Sequence, residues 1–305
     1  MKNLILISGP TAIGKTALSI KLAQHFLCPI LSFDSRQFYR EMTIGTAVPT
    51  IDELKSAEHF FVQNISIHDQ YSVGDFEKQA IAKLDQIFKT NDFAILVGGS
   101  GLYADAIVNG LDIFPAIDKA VRTRLTVEFE KFGLSYLQKI LQELDPFYVQ
   151  KLKTDNPQTL QNPQRLLRFI EVCVGTGKPY SSFLQKQTNN RNFNTISIGI
   201  DANRDIIYDK INKRVDLMMQ NGLLAEAQSL LSFENLNALQ TVGYRELFEH
   251  LAGNTTLEFA IDEIKKNTRR FAKRQLTWFK RNEKTTWFDY ETDVQKIIEI
   301  IKSKI

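Results

Sequence analysis

Cysteine is nearly absent from this chain. Cys28 and Cys173 are its two thiols in 305 residues, so no disulfide framework holds the fold. Four scattered histidines give no metal-ligand spacing. No apolar run reaches the roughly 18 residues that a membrane-spanning helix requires, which excludes such a span. The N-terminus, MKNLILISGPTAIGKT, lacks the small-residue cleavage pattern of a secretory signal and reads as a buried strand. The expected compartment is the cytoplasm. Coiled-coil heptads, internal repeats and low-complexity tracts are also missing, and the expected state is a monomer. Apolar residues at 43% and charged residues at 24% exclude a disordered or fibrous chain. The length suits one large domain, or a core with an inserted second domain.

One further absence is local. Residues 265–281, KKNTRRFAKRQLTWFKR, contain eight basic residues and no acidic one. The whole chain has a net charge of only +3, so the remainder is net acidic. Basic charge gathered in one segment points to a polyanionic partner.

Short apolar runs alternate with helical periodicity over much of the chain. Leu4–Ile7, Pro29–Phe33, Phe93–Val97 and Thr195–Ile200 read as strands. A helix is expected after the first, through Leu18, Leu22 and Phe26, and another over Val73–Phe88. Further helices are expected over Ile206–Met219, Leu223–Leu231 and Leu257–Phe279. This alternation predicts an α/β fold, a parallel sheet with helices on both faces. From about Ala120 to Phe183 the spacing is helical throughout. Leu134, Leu137, Ile140, Leu141 and Leu144 make one stripe, and Leu166, Leu167, Ile170 and Val174 another. Pro115 precedes this region and Asn189-Asn190-Arg191-Asn192 follows it. The expected organisation is a core of 1–116 and 194–305 interrupted by an all-helical insertion over 117–193.

Gly9-Pro10-Thr11-Ala12-Ile13-Gly14-Lys15-Thr16 matches G-x-x-x-x-G-K-[ST] in the right setting, after a strand and opening a helix. The glycines let backbone N–H groups wrap a phosphate, and the helix N-terminus adds partial positive charge. Lys15 supplies a full charge, and the Thr16 hydroxyl is a candidate Mg2+ ligand. A diphosphate or triphosphate is expected here, and the loop does not distinguish a nucleotide from another organic diphosphate. Asp34 closes the second strand, and Ser100 follows the Gly98-Gly99 pair after the third. Both belong to the carboxyl edge of the sheet, where open parallel sheets place their ligands. Position alone also suits Asp34 as a helix cap. Ser35, Arg36 and Gln37 beside it make more polar side chains than a turn requires.

Taken together, GPTAIGKT, SFDSRQFYREMTIGTAVPT (32–50), ILVGGSGLY (95–103), INKRVDLMMQNGLLAEA (211–227), LQTVGYRELF (239–248) and NTRRFAKRQLTWFKR (267–281) closely resemble the tRNA dimethylallyltransferases, also called tRNA isopentenyltransferases. The matches run in order over nearly the whole chain. The resemblance implies transfer of a dimethylallyl group from dimethylallyl diphosphate to the exocyclic amine of the adenosine immediately 3′ of the tRNA anticodon. It implies a phosphate-loop core and a helical insertion that grips the anticodon stem-loop. Asp34 becomes the general base, grouped with Ser100, Arg214 and Thr11 as the catalytic set. Gly9–Thr16 becomes the diphosphate cradle. Ser35, Arg36 and Gln37 would line the acceptor-base pocket with Asp34. Gln164, Arg165 and Arg168 in the insertion, and Gly243, Tyr244 and Arg245, would meet RNA. Ser100 replaces a family Thr and keeps the hydroxyl. Asn162-Pro163-Gln164-Arg165 lacks the Asp of the commoner Asn-Asp-Pro-Gln-Arg. No Cys/His pairs follow Trp287, so the zinc finger of some eukaryotic members is missing and a bacterial-type enzyme is expected.

Within 265–281, Lys266, Arg270 and Lys273 fall on one helical face and Ala272, Leu276 and Phe279 on another. Arg269, Arg270, Lys273 and Arg274 are the expected phosphate contacts. Trp278 is read as core. For Arg168 the competing reading is a surface ion pair with Glu171. Rival functions are a small-molecule kinase, a prenyltransferase of free adenine nucleotides, and a non-catalytic RNA-binding protein. The basic segment opposes the first two. The intact loop with Lys15, Thr16 and Asp34 opposes the third.

Overall fold

The computed structural model describes residues 1–184 and 191–305. Asn189 and Asn190, part of the segment expected to close the insertion, lie outside them. The chain forms two compact units, 1–109 with 190–305, and 110–189. The division therefore falls a few residues before the limits of 117 and 193 read from the sequence.

The strands are β1 (Asn3–Ser8), β2 (Ile30–Ser32), β3 (His59–Phe60), β4 (Phe93–Val97), β5 (Asn194–Asp201) and β6 (Thr286–Asp289). Helices α1 (Lys15–Phe26), α2 (Ile51–Ser56), α3 (Val73–Ile87) and α4 (Gly101–Asn109) precede the second unit, which contains α5 (Lys119–Leu144), α6 (Pro146–Asp155) and α7 (Pro163–Thr176). The chain then forms α8 (Arg204–Gln220), α9 (Leu223–Leu230), α10 (Tyr244–Leu251), α11 (Leu257–Phe279) and α12 (Val294–Lys302).

All strand pairs are parallel, in the order β3-β2-β4-β1-β5-β6. All six residues of β1 are buried, as a central parallel strand covered on both faces requires. Alternate β1 side chains divide between two cores. Ile5 and Ile7 pack with α1, α8 and α12, through Leu22, Ile207, Ile211 and Ile298 among others. Leu4 and Leu6 pack with α3 and α4, through Phe76, Leu84, Ala104 and Ile107. This is the period-2 alternation of a strand converted into two helix-covered faces. The strands absent from the sequence reading, β3 and β6, are the two edges of the sheet. At two and four residues they carry too little pattern to register.

A third core joins α8, α9, α10 and α11 around Val215, Leu223, Leu239, Tyr244 and Ile264. The second unit has its own core, from Leu125, Leu137, Leu141, Leu166, Leu167 and Ile170. Val174, expected in that stripe, is exposed. Gly133 breaks α5 at φ 73° and ψ −170°, a conformation glycine adopts without a Cβ penalty. Asp145 organises the end of that helix pair. Its carboxylate accepts the Tyr148 N–H at 3.0 Å, capping α6, and both the N–H and the hydroxyl of Ser181. Asn162 caps α7 by accepting the Arg165 N–H at 3.1 Å, with Pro163 at the first helical position. No helix among the described residues is long and apolar enough to cross a membrane.

Candidate active site

The carboxyl ends of β1, β2 and β4 open onto a cleft of about 840 Å³. Its floor is the glycine-rich loop. Gly14 stands at φ 104° as the residue before α1, with no side chain capping the helix. The first N–H groups of α1 therefore have no capping side chain, which is the arrangement that receives an anion. Thr11, Ala12, Ile13, Gly14, Lys15 and Thr16 line the cleft. Gly9 and Pro10, expected in the same cradle, are buried and do not line it. Gly9 instead carries the turn beneath β5. At φ +149°, a Cβ there would lie 2.5 Å from the Ile200 carbonyl oxygen.

Two cations meet above the loop. Lys15 Nζ rests on the Pro10 carbonyl at 2.7 Å. Burial pushes its ammonium down to about 8, against Asp34, which raises it, and with Arg214, which lowers it further. Arg214, from α8, donates to the Thr11 hydroxyl at 3.2 Å. Burial lowers its guanidinium below the usual arginine value, opposed by Asp34 and Glu53, and it stays charged at neutral pH. The geometry thus converges two positive charges on a loop built for phosphate.

Asp34 stands across this cleft. Its Oδ1 accepts the Arg36 N–H at 3.2 Å, and its own N–H donates to Ser32 Oγ at 3.2 Å. Gly98 makes room for it, since a Cβ at that position would meet the Asp34 nitrogen at 2.7 Å. Ser100 Oγ accepts the Ser35 N–H at 3.1 Å and shares a hydrogen bond with Ser35 Oγ at 3.0 Å. Gln37 Nε2 donates to the Thr46 and Ala47 carbonyls, at 3.3 and 2.9 Å. Arg36 donates to the Asn237 and Ala238 carbonyls at 3.1 and 2.9 Å. These four consecutive residues, 34–37, all line the cleft.

The expected RNA contacts divide into several settings. Arg270, Lys273 and Arg274 are exposed on α11, and Arg274 also lines the cleft. Arg269 is half-buried, donating to Asn212 Oδ1 at 2.7 Å. Gly243 and Arg245 line the cleft. Tyr244, expected at the RNA surface with them, is fully buried. Its hydroxyl donates to Glu226 Oε1 at 2.6 Å, and its ring fills the space a Gly45 Cβ would occupy at 2.7 Å. The apolar ring at the start of an amphipathic α10 gains more from the third core than from water. In the second unit, Arg168 lies 3.4 Å from Glu171, the ion pair weighed from the sequence. Arg165 donates to Thr159 Oγ1 at 3.0 Å, and Gln164 Oε1 accepts from Arg122 at 2.6 Å.

Several site residues were not legible beforehand. Trp278 lines the cleft and donates through Nε1 to Asp105 Oδ2 at 3.0 Å. Glu226 accepts the N–H groups of Thr43, Ile44 and Gly45, which fixes the loop holding the Gln37 amide. Gln275, 5% exposed, lies in the cleft wall between the phosphate loop and Gly99. A polar residue within the apolar stripe of α11 was its only signal. Cys28, whose burial pushes the thiol up to about 12, and Cys173 are both buried and have no part in the cleft.

For a divalent ion, the cleft offers the Thr16 hydroxyl and the carboxylates of Asp34 and Glu53. No cluster of three or more His, Cys, Asp or Glu side chains suited to a metal occurs among the described residues. Hydroxyl and carboxylate oxygens are the donor types that Mg2+ takes, beside water and substrate phosphates.

A parallel α/β core with a glycine-rich anion loop at the end of β1, and with Lys15, Arg214 and Asp34 around it, defines the phosphate-loop class of α/β proteins. The IPP transferase family pattern matches residues 37–282. A tRNA dimethylallyltransferase of Flavobacterium johnsoniae is 63% identical, over all of both chains. The crystal structure of the full-length tRNA isopentenylpyrophosphate transferase from Bacillus halodurans is 34% identical. It covers 100% of this chain and 97% of that one, with a TM-score of 0.73. A eukaryotic dimethylallyltransferase acting on tRNA shares the fold at 24% identity and a TM-score of 0.78, over 97% of this chain and 75% of that one. The chain belongs to the tRNA dimethylallyltransferase (IPP transferase) family.

The Lys15 environment makes anion affinity pH-dependent. Below about pH 8 the ammonium is charged, and above it the charge is lost unless an anion is bound. Affinity for an organic diphosphate should therefore fall by about tenfold per unit above that point, where the phosphate has finished its own ionisation near pH 6. Calorimetric titration between pH 7 and 9.5 checks this. Lys15→Arg, which keeps its charge, should flatten the profile.

Proposed function

We propose that the chain transfers a dimethylallyl group from dimethylallyl diphosphate to the exocyclic amine of the adenosine immediately 3′ of the tRNA anticodon, releasing diphosphate. The observation that carries this reading is the placement of the Asp34 carboxylate, at the end of β2, in the same cleft as a complete phosphate loop. A hydrolase or kinase loop would equally hold a diphosphate. The neighbouring Ser35, Arg36 and Gln37, the exposed cations of α11 and the family membership favour a nucleic-acid acceptor.

The diphosphate would sit on the amides of Ala12–Thr16, with Lys15 and Arg214 on its oxygens. As the allylic carbon–oxygen bond breaks, negative charge builds on the leaving diphosphate, where these cations stabilise it most. Thr16 would hold Mg2+, which when bound neutralises further charge on the same oxygens. The adenine amine attacks the allylic carbon, and the bond to nitrogen forms as the bond to oxygen breaks. An aromatic amine is a poor nucleophile, so proton transfer to Asp34 assists the step. The Arg36 N–H on Oδ1 holds that carboxylate in place. The adenosine must leave its stack to enter the cleft, as base-modifying enzymes require. The three-residue run 35–37 would line the pocket for the extruded base. The second unit would hold the anticodon stem-loop, with Arg165 and Arg168 on its backbone. The proposed working state is a cytoplasmic monomer.

Transfer of labelled dimethylallyl groups to unmodified tRNA tests the reading. Asp34→Ala should lower turnover by roughly two or more orders of magnitude, with affinity for the diphosphate nearly intact. Near-normal turnover would remove Asp34 from the chemistry. A separate expectation concerns the acceptor. Replacing Arg270, Lys273 and Arg274 by Ala should weaken tRNA binding. Its slope against log salt should shrink by roughly one unit for each phosphate these cations neutralise. An unchanged slope in filter binding would place the RNA footprint elsewhere.

A further inference from the structure

The loops on the two sides of the cleft are tied together by a side chain to which the transfer chemistry above gives no role. Gln275 lies on α11 and is only 5% exposed. Its Oε1 accepts the Thr11 N–H at 2.9 Å, and its Nε2 donates to the Gly99 carbonyl at 2.9 Å. One planar amide therefore spans the glycine-rich loop after β1 and the glycine pair after β4. Gly99 is shaped for this contact. A Cβ at that position would lie 2.2 Å from Gln275 Nε2.

The contacts continue on both sides. Thr11 holds Arg214 through its hydroxyl. Gly99 precedes Ser100, which fixes Ser35 by two hydrogen bonds, and Ser35 adjoins Asp34. Gln275 is thus the link in this series that joins the cation side of the cleft to the carboxylate side. Its Oε1 also takes the Thr11 N–H, so that donor is committed to the protein before any anion arrives. A buried amide with both ends satisfied is rigid, and its removal leaves the buried Gly99 carbonyl without that donor and frees the Thr11 N–H at the cleft.

We propose that Gln275 is a positioning residue that sets the separation between the diphosphate on the glycine-rich loop and the Asp34 carboxylate opposite. The proposal rests on the prenyl-transfer reading. Bond formation is steep in this separation, since a misplacement of about 1 Å can cost about a hundredfold in rate. The same helix carries the exposed cations Arg270, Lys273 and Arg274. RNA held on its outer face would therefore bear on the element that fixes the geometry of the cleft.

Three variants test this. Gln275→Leu keeps the volume and removes both hydrogen bonds. It should lower kcat by roughly tenfold to a hundredfold, with little change in KM for either substrate. Gln275→Glu presents an oxygen to the Gly99 carbonyl when ionised and a donor when protonated. Its activity relative to the unaltered enzyme should rise as pH falls through the carboxyl's titration, a signature that space-filling alone does not produce. Gly99→Ala displaces Nε2, and its effect on kcat and on melting temperature should largely vanish in the Gln275→Leu background. Unaltered kcat in Gln275→Leu, a pH-independent ratio in Gln275→Glu, or additive effects of the Gly99 and Gln275 changes would overturn the proposal. If Gln275→Leu does not fold, the pH ratio of Gln275→Glu and the Gly99→Ala effect in that background decide it. The melting-temperature cycle needs no turnover. An inactive unaltered enzyme with retained non-additivity would therefore sink the transfer reading and leave the link between the loops standing.

Discussion

The cleft depends on a close backbone approach at one point, where Gly9 passes under the end of β5. The Ile200 carbonyl stands where any Cβ would be, and the loop could not take this path with another residue. That path carries the chain out of the central strand and aims the amides of Ala12–Thr16 at a common space. It also starts α1 at Lys15 with no side-chain cap, so the helix end is left for an anion. Arg214 is held through Thr11, and Asp34 faces the loop from the end of β2, across β4. The strand order, with β4 between β2 and β1, puts the three carboxyl ends that build the site side by side.

The division of labour among side chains follows from burial. Residues that reach the cleft are half-exposed polar groups held by backbone contacts, as with Asp34 on the Arg36 N–H and Gln37 on the Thr46 and Ala47 carbonyls. Residues that hold these loops carry several hydrogen bonds each, whether buried like Gln275 or half-buried like Glu226. Glu226 receives three backbone N–H groups and the Tyr244 hydroxyl. Such a network costs little when complete and is expensive to break. The cleft therefore has walls of loop backbone whose positions are set from behind. This suits a reaction in which an electrophile and a base must be kept a fixed distance apart.

Much of this was legible in the chain because local pattern and chemistry agreed. The apolar runs at Leu4–Ile7 and Phe93–Val97 became β1 and β4, and the periodicity over Leu257–Phe279 became α11. The phosphate loop was readable because its function needs fixed residue types at fixed spacing. The edge strands β3 and β6 were not, since short edge segments carry no alternation to detect. Tyr244 was misplaced because family position near a cation does not reveal which way a ring points, and the α8–α11 core claimed it. Gly9 and Pro10 belong to the loop motif but build its turn instead of its lining. Gln275 and Glu226 act across 264 and about 180 residues of sequence. No local rule anticipates a hydrogen bond of that separation.

The central claim is the pairing of donor and acceptor in one cleft. It is tested most directly by mass spectrometry of unmodified tRNA after incubation with the protein, magnesium and dimethylallyl diphosphate, beside a control with ATP alone. The account predicts a five-carbon addition on the adenosine 3′ of the anticodon, absent from the control. Unmodified tRNA in both samples, with the label appearing on free adenine nucleotides or phosphate transferred from ATP, would contradict it.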